Sequence, residues 1–509
     1  MKKYKYQILL AVFILAYIIY FSYFTILRYK TLYASYYDLG IMHQTVYNTF
    51  ISIKTGDWSR FLELTNPVGS DQIKRMAIHN DIFLALLAPF YFLHSGPETL
   101  LVIQTAIIAL GAIAIFKIAN IIFQKNKYSI LLSLIFSLAY LLYPPLERAN
   151  IFDFHAVVLS TTFLLFMFYF WLVRKYGFSF LFFVLSLLTK EQVALTTIVF
   201  GVYTLIISNI QFPISNQIKN PKFKKTKQNF YFPLLIIGVS IIWFVLSVFY
   251  IIPIFRGGQH FAASRYSDFG ESPIRIIIGI FTHPDSIFKY IFRVDTWRYL
   301  KFLLNPVAFL PLLSPSELFI ALPEFAINLL SKNPNMRNII YHYTAVITPF
   351  VLISAIYAAK RIFEVLQIKR HSGEQKEIFV GLLVLFFSLY FAYIKGPLPF
   401  SKEKNIHPFK YPQKEAKDTA FWSKTLRNEQ LKISTTGQLS PFFTSRRYFY
   451  TFSARYRLAD YVIVRLNEIY NYPEKNELIP VYERLKKDYN YELIYQKENF
   501  EVYKRKVKS

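Results

Sequence analysis

Long apolar segments alternate with short polar ones over most of the chain. Residues 8–26 and 100–116 are almost entirely apolar, and a helix of about 20 such residues crosses the roughly 30 Å hydrocarbon core of a bilayer. Residues 302–313 and 318–330 form shorter apolar pieces separated by Ser-Pro-Ser, which predicts broken helices joined by irregular backbone inside the protein. The length criterion gives roughly nine to eleven spans or partial spans. The pattern predicts an all-α polytopic membrane bundle.

The pattern changes after residue 395, where a charged tail begins. Apolar runs of strand length occur there at residues 432–436, 461–464, 492–495 and 500–504, and helical patterns at 416–428 and 481–487. Alternation of short strands with helices is typical of an α/β fold. We therefore expect a transmembrane domain at residues 1–395 and a small soluble α/β domain at residues 396–509.

Basic residues predict how the chain is oriented. Lysines occupy three of the first five positions, and a lysine-rich loop lies at residues 219–227. Loops rich in Lys and Arg tend to stay in the cytoplasm. This places the amino terminus in the cytoplasm of a multi-pass plasma-membrane protein. Two long loops, residues 28–80 and 253–299, and the carboxyl-terminal domain then lie outside.

Composition and missing motifs argue against several classes of function. Apolar residues make up 54% of the chain, so topology and contact with anionic lipids explain the net charge of +27 better than nucleic-acid binding does. The chain has no cysteine, which excludes thiolate catalysis and disulfides. It also lacks a Walker loop, a Rossmann glycine fingerprint and a Gly-x-Ser-x-Gly motif. Nothing in the sequence supports ATP hydrolysis or serine-hydrolase chemistry.

An aspartate in the first outer loop is the leading catalytic candidate. Asp38 follows the first span and precedes a polar run at residues 44–48. A carboxylate at the membrane surface can take a proton from an incoming hydroxyl or hold a metal ion. The competing interpretation is that Asp38 only caps the helix that follows it.

Two further motifs each place a carboxylate and an imidazole two residues apart. They are His79-Asn80-Asp81 and Asp153-Phe154-His155. Such pairs can move a proton or bind a divalent cation such as Mg²⁺ or Mn²⁺, with Asp38 and Asp81 as possible ligands. The alternative is that both motifs cap helices at the membrane boundary. We predict catalytic roles for His79 and Asp81 and substrate contacts for Asp153 and His155.

Charged residues in otherwise apolar surroundings suggest a phosphate site. Lys190 and Glu191 interrupt a long apolar stretch, and charges there are costly unless paired or facing water. Arg337 and His342 lie in a polar, aromatic segment between short helices, and an arginine fork suits phosphate oxygens. We predict substrate binding by all four residues. The alternatives are a local ion pair in a turn and interfacial anchoring by tyrosines.

Taken together, these motifs resemble a prokaryotic family of uncharacterised polytopic membrane proteins. The resemblance rests on Tyr37-Asp38-Leu39-Gly40-Ile41, His79-x-Asp81, Asp153-Phe154-His155, Thr189-Lys190-Glu191, Leu322-Pro323-Glu324 and Tyr341-His342-Tyr343. Gln192 stands where the family pattern suggests an acid. That family is similar to the GT-C class of membrane glycosyltransferases. The resemblance implies a helical bundle with a catalytic acid, Asp38, in its first outer loop and a polyprenyl-phosphate-linked sugar as donor.

The sequence thus supports a leading hypothesis and two alternatives. The first is transfer of a sugar from a polyprenyl-phosphate donor at the outer face of the plasma membrane. The second is a transporter or lipid flippase that uses the same polar cavity, with Lys190 and Glu191 as a gating pair. The third is a non-catalytic assembly protein with the soluble tail as its binding module.

Overall fold

The computed structural model describes residues 2–209, 227–258, 261–368, 373–403, 406–409 and 413–506. The lysine-rich loop predicted at residues 219–227 lies almost entirely outside these ranges. Within them the chain forms a helical bundle and a smaller domain that contains a sheet. The predicted fold class is confirmed.

The bundle contains apolar helices of different lengths. Among the described residues, four are long and apolar enough to cross a membrane: Tyr4–Lys30, Pro97–Ile122, Lys227–Arg256 and Glu377–Lys395. A fifth span is possible where Ser129–Leu141 and Pro144–Ile151 meet at a bend of 43°. The shorter apolar helices are Phe83–Phe92, Ala156–Leu172, Tyr176–Leu187, Val193–Ile207 and Pro273–Thr282. Further helices lie at Pro284–Ile291, Val294–Leu304 and Thr348–Ile368.

Small and hydroxylic residues let the helices of the bundle approach closely. The Tyr140 hydroxyl donates to the backbone oxygen of Ile108 at 2.8 Å, across two neighbouring helices. A Cβ at Gly111 would lie 2.2 Å from that hydroxyl, so only glycine leaves room for the tyrosine. Such contacts stabilise helix pairs in a membrane, where lipid tails are as apolar as the side chains.

The broken helices expected between residues 302 and 330 are present. Helices Pro315–Leu318 and Leu322–Leu329 follow tight 3₁₀ turns at Asn305–Val307 and Leu310–Leu313. The backbone changes direction at Ala308 and Phe309, whose φ angles are 55° and 56°. Non-glycine residues in this left-handed region mark a forced turn.

The carboxyl-terminal domain is built on a five-stranded sheet. The strand order across the sheet is Phe449–Thr451, Ile433–Thr435, Tyr461–Arg465, Phe500–Arg505 and Tyr491–Lys497. The first three strands are parallel and the last two are antiparallel to their neighbours. The strands predicted at residues 492–495 and 500–504 are present and pair as an antiparallel hairpin, whereas the three-residue strand at Phe449–Thr451 was not predicted. Helices Ala416–Thr425, Leu466–Asn471 and Lys475–Lys487 complete the domain.

The first long loop, residues 28–80, folds against this sheet. It contains the helix Ile41–Thr55 and a small hairpin of Glu63–Thr65 with Gln72–Lys74. Arg447 of the domain bonds Glu63 at 2.9 Å, and Gln44 donates to the Arg447 backbone oxygen at 3.0 Å. The loop is therefore held between the bundle and the carboxyl-terminal domain.

Candidate active site

A polar cavity of about 620 Å³ opens where the first long loop meets the ends of several bundle helices. We call it the polar cavity. Its charged and titratable lining residues are Tyr37, Asp38, Asp71, Arg75, His79, Asp81, His155, Lys190, Arg256, Arg265, His342 and Tyr343. Residues that are far apart in the sequence, including six of the predicted site residues, thus share one space.

Asp38 lies in a short π-helical turn, Tyr36–Gly40, directly before the helix Ile41–Thr55. A Cβ at Gly40 would lie 2.9 Å from the Tyr36 ring, so glycine allows the turn to close. The Asp38 side chain is 25% exposed. The N-cap residue of the helix Ile41–Thr55 is Gly40, and no side chain makes a capping hydrogen bond there. The interpretation of Asp38 as a helix cap is therefore wrong, and its carboxylate faces the polar cavity.

His155 holds the Asp38 carboxylate in place. The two atoms His155 Nε2 and Asp38 Oδ1 lie 2.9 Å apart. The His155 backbone N–H donates to Gln104 Oε1 at 2.9 Å, and the ring stacks on His342 with centroids 3.8 Å apart. Burial lowers the pKa of His342 well below its usual value, so this stacked ring is neutral at pH 7. Asp38 is thus oriented by a histidine that is itself fixed on two sides.

Asp153 lies behind Asp38 and does not line the cavity. The Ser35 N–H donates to Asp153 Oδ2 at 3.0 Å, while the Ser35 hydroxyl lies 3.4 Å from Asp38 Oδ2. Asp153 has φ 59° and is 7% exposed. Burial, followed by the nearby Asp38 charge, raises the pKa of Asp153 to about 7. The structure thus separates the predicted Asp153–His155 pair, because the left-handed turn sends each side chain to a different partner.

Asp81 and Glu191 are both engaged by neighbouring residues. Arg75 Nε donates to Asp81 Oδ1 at 2.9 Å and Arg75 Nη2 to Oδ2 at 2.8 Å, and each side chain is 4% exposed. Glu191 accepts from the backbone N–H of Asn80 at 3.0 Å and lies 2.8 Å from His79 Nδ1. These contacts fix the segment that carries His79 at the cavity wall. Arg75 was not predicted, because a lone arginine between short elements carries no local signal.

Besides Arg75, three cationic side chains from different elements line the same cavity. Lys190 forms no hydrogen bond or salt bridge in the described part of the chain, and its partial burial lowers the pKa of its ammonium. Arg256 lies at the carboxyl end of the helix Lys227–Arg256, and Arg265 lies in the 3₁₀ turn Phe261–Tyr266. Arg256 Nη1 donates to the Ala77 backbone oxygen at 3.3 Å. No local pattern marks these two arginines, since basic residues near the ends of apolar runs are common in membrane proteins.

Of the residues predicted to bind phosphate, Arg337 lies elsewhere. It is 5% exposed, and its Nε donates to Asp295 Oδ2 at 2.7 Å. The guanidinium thereby holds together the segments around residues 295 and 337. Its predicted contact with a substrate phosphate has no counterpart in the polar cavity, whereas His342 lines the cavity as expected.

The carboxylates of the site do not form a metal cage. No group of three or more His, Asp or Glu residues suited to a metal ion occurs within the described ranges. Both oxygens of Asp81 accept from Arg75, and one oxygen of Asp38 meets His155. These side chains do not fit a shared Mg²⁺ or Mn²⁺ site, and the predicted cation stays a prediction.

The buried Asp153 should make stability depend on pH. Its folded pKa of about 7 exceeds that of an unfolded aspartate, about 3.9. Its protonated form therefore contributes stability fully below about pH 4, and this contribution is lost as pH rises through about 7. Asp153→Asn keeps an oxygen for the Ser35 N–H and cannot ionise. Between pH 5 and 8, the thermal stability of the purified wild type should fall, and that of the variant should fall much less. Equal pH profiles for the two proteins would contradict the assignment of this pH dependence to Asp153.

Comparison with known proteins agrees with the architecture. A family model described as "Predicted membrane protein (DUF2079)" matches residues 28–502. The fold is similar to ArnT from Cupriavidus metallidurans bound to undecaprenyl phosphate, with a TM-score of 0.52, 12% identity and 97% of each chain covered. The archaeal oligosaccharyltransferase AglB from Archaeoglobus fulgidus, in complex with an inhibitory peptide and a dolichol-phosphate, is 10% identical with a TM-score of 0.46 and covers 97% of this chain and 74% of its own. No curated protein matches the sequence. At this identity the likeness to ArnT shows a GT-C-like fold.

Proposed function

The chain belongs to the DUF2079 family of predicted membrane proteins, and from this premise we propose that it transfers a sugar from a polyprenyl-phosphate-linked donor to an acceptor hydroxyl. The supporting observation is that Asp38, oriented by His155, lines the same cavity as the cation Lys190. A base and a phosphate-binding cation in one space are the two groups that such a transfer needs. The GT-C-like fold, shared with ArnT, adds support at the level of architecture.

Asp38 is the proposed general base. It takes the proton of the acceptor hydroxyl while that oxygen forms a bond to the anomeric carbon of the sugar. The bond from the anomeric carbon to the phosphate oxygen breaks, and its electron pair leaves with the lipid phosphate. His155, 2.9 Å from Asp38 Oδ1, keeps the carboxylate aimed, so its second oxygen remains available to the acceptor. Holding both reactants in this geometry supplies much of the rate enhancement.

Lys190 is the proposed phosphate-binding group, assisted by Arg256 and Arg265, which line the same cavity. Negative charge develops on the phosphate as the sugar departs, and a fixed cation in a partly dry site stabilises it. A bound phosphate would also offset the desolvation that lowers the pKa of Lys190. Under the predicted orientation, this cavity opens to the outside of the plasma membrane.

We expect Lys190→Gln to weaken donor binding about tenfold to a hundredfold, the usual effect of losing a hydrogen bond to a charged group. The fold should persist, since the change removes a partly buried charge that has no protein partner within hydrogen-bonding distance in the described ranges. Lys190→Arg should retain most binding. A control with the same charge change is Lys332→Gln, whose lysine pairs with Asp268 at 2.6 Å outside the cavity. Titration with a fluorescent polyprenyl-phosphate sugar measures the donor affinity of all four proteins. Equal losses of affinity in Lys190→Gln and Lys332→Gln would show that Lys190 does not bind the donor.

The direct test is turnover by the purified full-length protein with a panel of polyprenyl-phosphate sugars. Sugar transfer to an acceptor, or slow hydrolysis of the donor, should appear with at least one member and should require Asp38. Binding without turnover by the wild type, combined with movement of lipid or solute across reconstituted vesicles, would replace the transferase with the transporter alternative. If no member of the panel were bound or turned over, the proposal would be overturned.

A further inference from the structure

A second cavity, of about 400 Å³, opens at the opposite end of the bundle. Its lining residues come from the helices Lys2–Lys30, Pro97–Ile122, Ser129–Leu141 and Ala156–Leu172. Gln104 of the helix Pro97–Ile122 supports His155 at the polar cavity, and Lys117 of the same helix lines this second cavity. Thirteen residues of α-helix span about 20 Å. The second cavity, here named the distal groove, therefore lies in the other half of the membrane.

The distal groove has an apolar body and a polar end. Leu10 and Ile14 from the first helix face Ile113 and Phe116 from the second, which gives a surface suited to an acyl chain. Gln7 and Asn120 lie on the same two helices, nearer the ends that point away from the polar cavity. Side chains of this kind sit at the level of lipid head groups when apolar residues flank them on one side.

Lys117 supplies a positive charge at this polar end. Its side chain is exposed, its Nζ lies 5.2 Å from the centre of the Tyr169 ring, and it pairs with no carboxylate within the ranges that the structure describes. A lysine within a membrane helix is costly and needs a partner or contact with the interface. Its aliphatic stem can lie along the groove while the ammonium reaches the interface.

The segments that line the groove carry charge of one sign. Residues 1–37, 99–146 and 154–190, which hold all the residues around the groove, contain no Asp or Glu. The same segments carry Lys125, Lys127, Arg174 and Lys175 near that end. These lining segments therefore supply no carboxylate of their own to pair with Lys117. Basic pockets between membrane helices bind anionic lipid head groups.

We propose that the distal groove binds an anionic phospholipid, with an acyl chain along Leu10, Ile14, Ile113 and Phe116 and the phosphate at Lys117. This site is separate from the sugar-donor site. A donor bound here would hold its phosphate about 20 Å from Asp38, too far for reaction. The lipid would instead occupy the seam between the first helix and the rest of the bundle.

The test is native mass spectrometry of the full chain with phosphatidylglycerol and phosphatidylcholine supplied in equal amounts. The wild type should retain phosphatidylglycerol about fivefold better, the effect expected of one basic residue at a membrane surface. Lys117→Gln should abolish this preference. Ala11→Trp, which fills the exposed side of the groove from a position that is not buried, should lower retention of both lipids.

Lys54→Gln provides the matched control, because it removes an exposed lysine at the end of the helix Ile41–Thr55, in the first outer loop. This variant should keep the wild-type preference. Equal retention of the two phospholipids by the wild type, or an equal loss in Lys54→Gln, would show non-selective lipid contact and overturn the proposal. Displacement of phosphatidylglycerol by polyprenyl phosphate in the wild type but not in Lys117→Gln would also overturn it, since the groove would then hold the carrier lipid.

Discussion

Asp38→Asn is expected to lower the rate of sugar transfer by about 10²–10⁴-fold, the usual contribution of a positioned general base. The amide keeps the size of the carboxylate and can still meet His155 Nε2, so donor binding should change little. The Asp38 side chain is 25% exposed. Because the amide still meets His155, no buried group loses its hydrogen-bond partner. Thermal unfolding should therefore remain close to that of the wild type. Turnover with a saturating donor measures the effect.

Asp71→Asn is the matched control for this experiment. Asp71 lines the same cavity, but its Oδ1 accepts a bond from the Asn66 amide at 3.0 Å on an exposed turn. The same substitution should leave turnover near the wild-type level. Comparable losses in both variants would mean that the cavity needs negative charge in general. Turnover by Asp38→Asn above a tenth of the wild-type rate would remove Asp38 as the base.

Arg75→Gln is expected to reduce the free energy of unfolding by about 3–5 kcal/mol, the usual cost of breaking a buried ion pair by removing one partner. Arg75 and Asp81 are both 4% exposed and share two close hydrogen bonds. The change leaves the buried Asp81 carboxylate without its cationic partner. Burial already raises the pKa of Asp81. Denaturant titration of the purified protein in one detergent gives the comparison with the wild type.

The double variant Arg75→Met with Asp81→Leu separates a structural role of the pair from a catalytic one. Apolar residues of similar size can replace a buried ion pair with little loss of stability, so this protein should unfold near the wild-type midpoint. If Asp81 acts in catalysis, as its motif predicts, the stable double variant should still be inactive. Full activity in the double variant would assign Asp81 to structure alone. An Arg75→Gln protein as stable as the wild type would contradict the buried pair itself.

Hydropathy and motif patterns predict much of this molecule. Apolar runs identify the bundle, because a helix must present apolar residues over its whole length to cross hydrocarbon. The strands and the terminal hairpin of the carboxyl-terminal domain follow from short apolar runs between turns. The strand Phe449–Thr451 was missed, since three residues are too few to show a period.

Motif positions also anticipate which residues reach the cavity, but not what each one contacts. Asp38, His79, Asp81, His155, Lys190 and His342 all line it, because charged residues at the ends of apolar segments collect at one membrane surface. Three other predicted site residues contact protein groups instead. Asp153 accepts a hydrogen bond from Ser35, and Glu191 contacts Asn80 and His79. Arg337 pairs with Asp295. Periodicity along the chain says where a side chain emerges from its own helix. It carries no information about the partner that a distant segment brings to it.

Arg75, Arg256 and Arg265 illustrate the limit of sequence patterns. None of the three arginines belongs to a motif, and each reaches the cavity because segments that are distant in the sequence pack around the same space. Likewise, the 2.9 Å contact between Asp38 and His155 joins residues 117 positions apart. Local sequence determines helix, strand and membrane exposure through short-range sterics and solvation. The pairing of remote side chains depends on how the whole bundle packs, since that packing sets their distances.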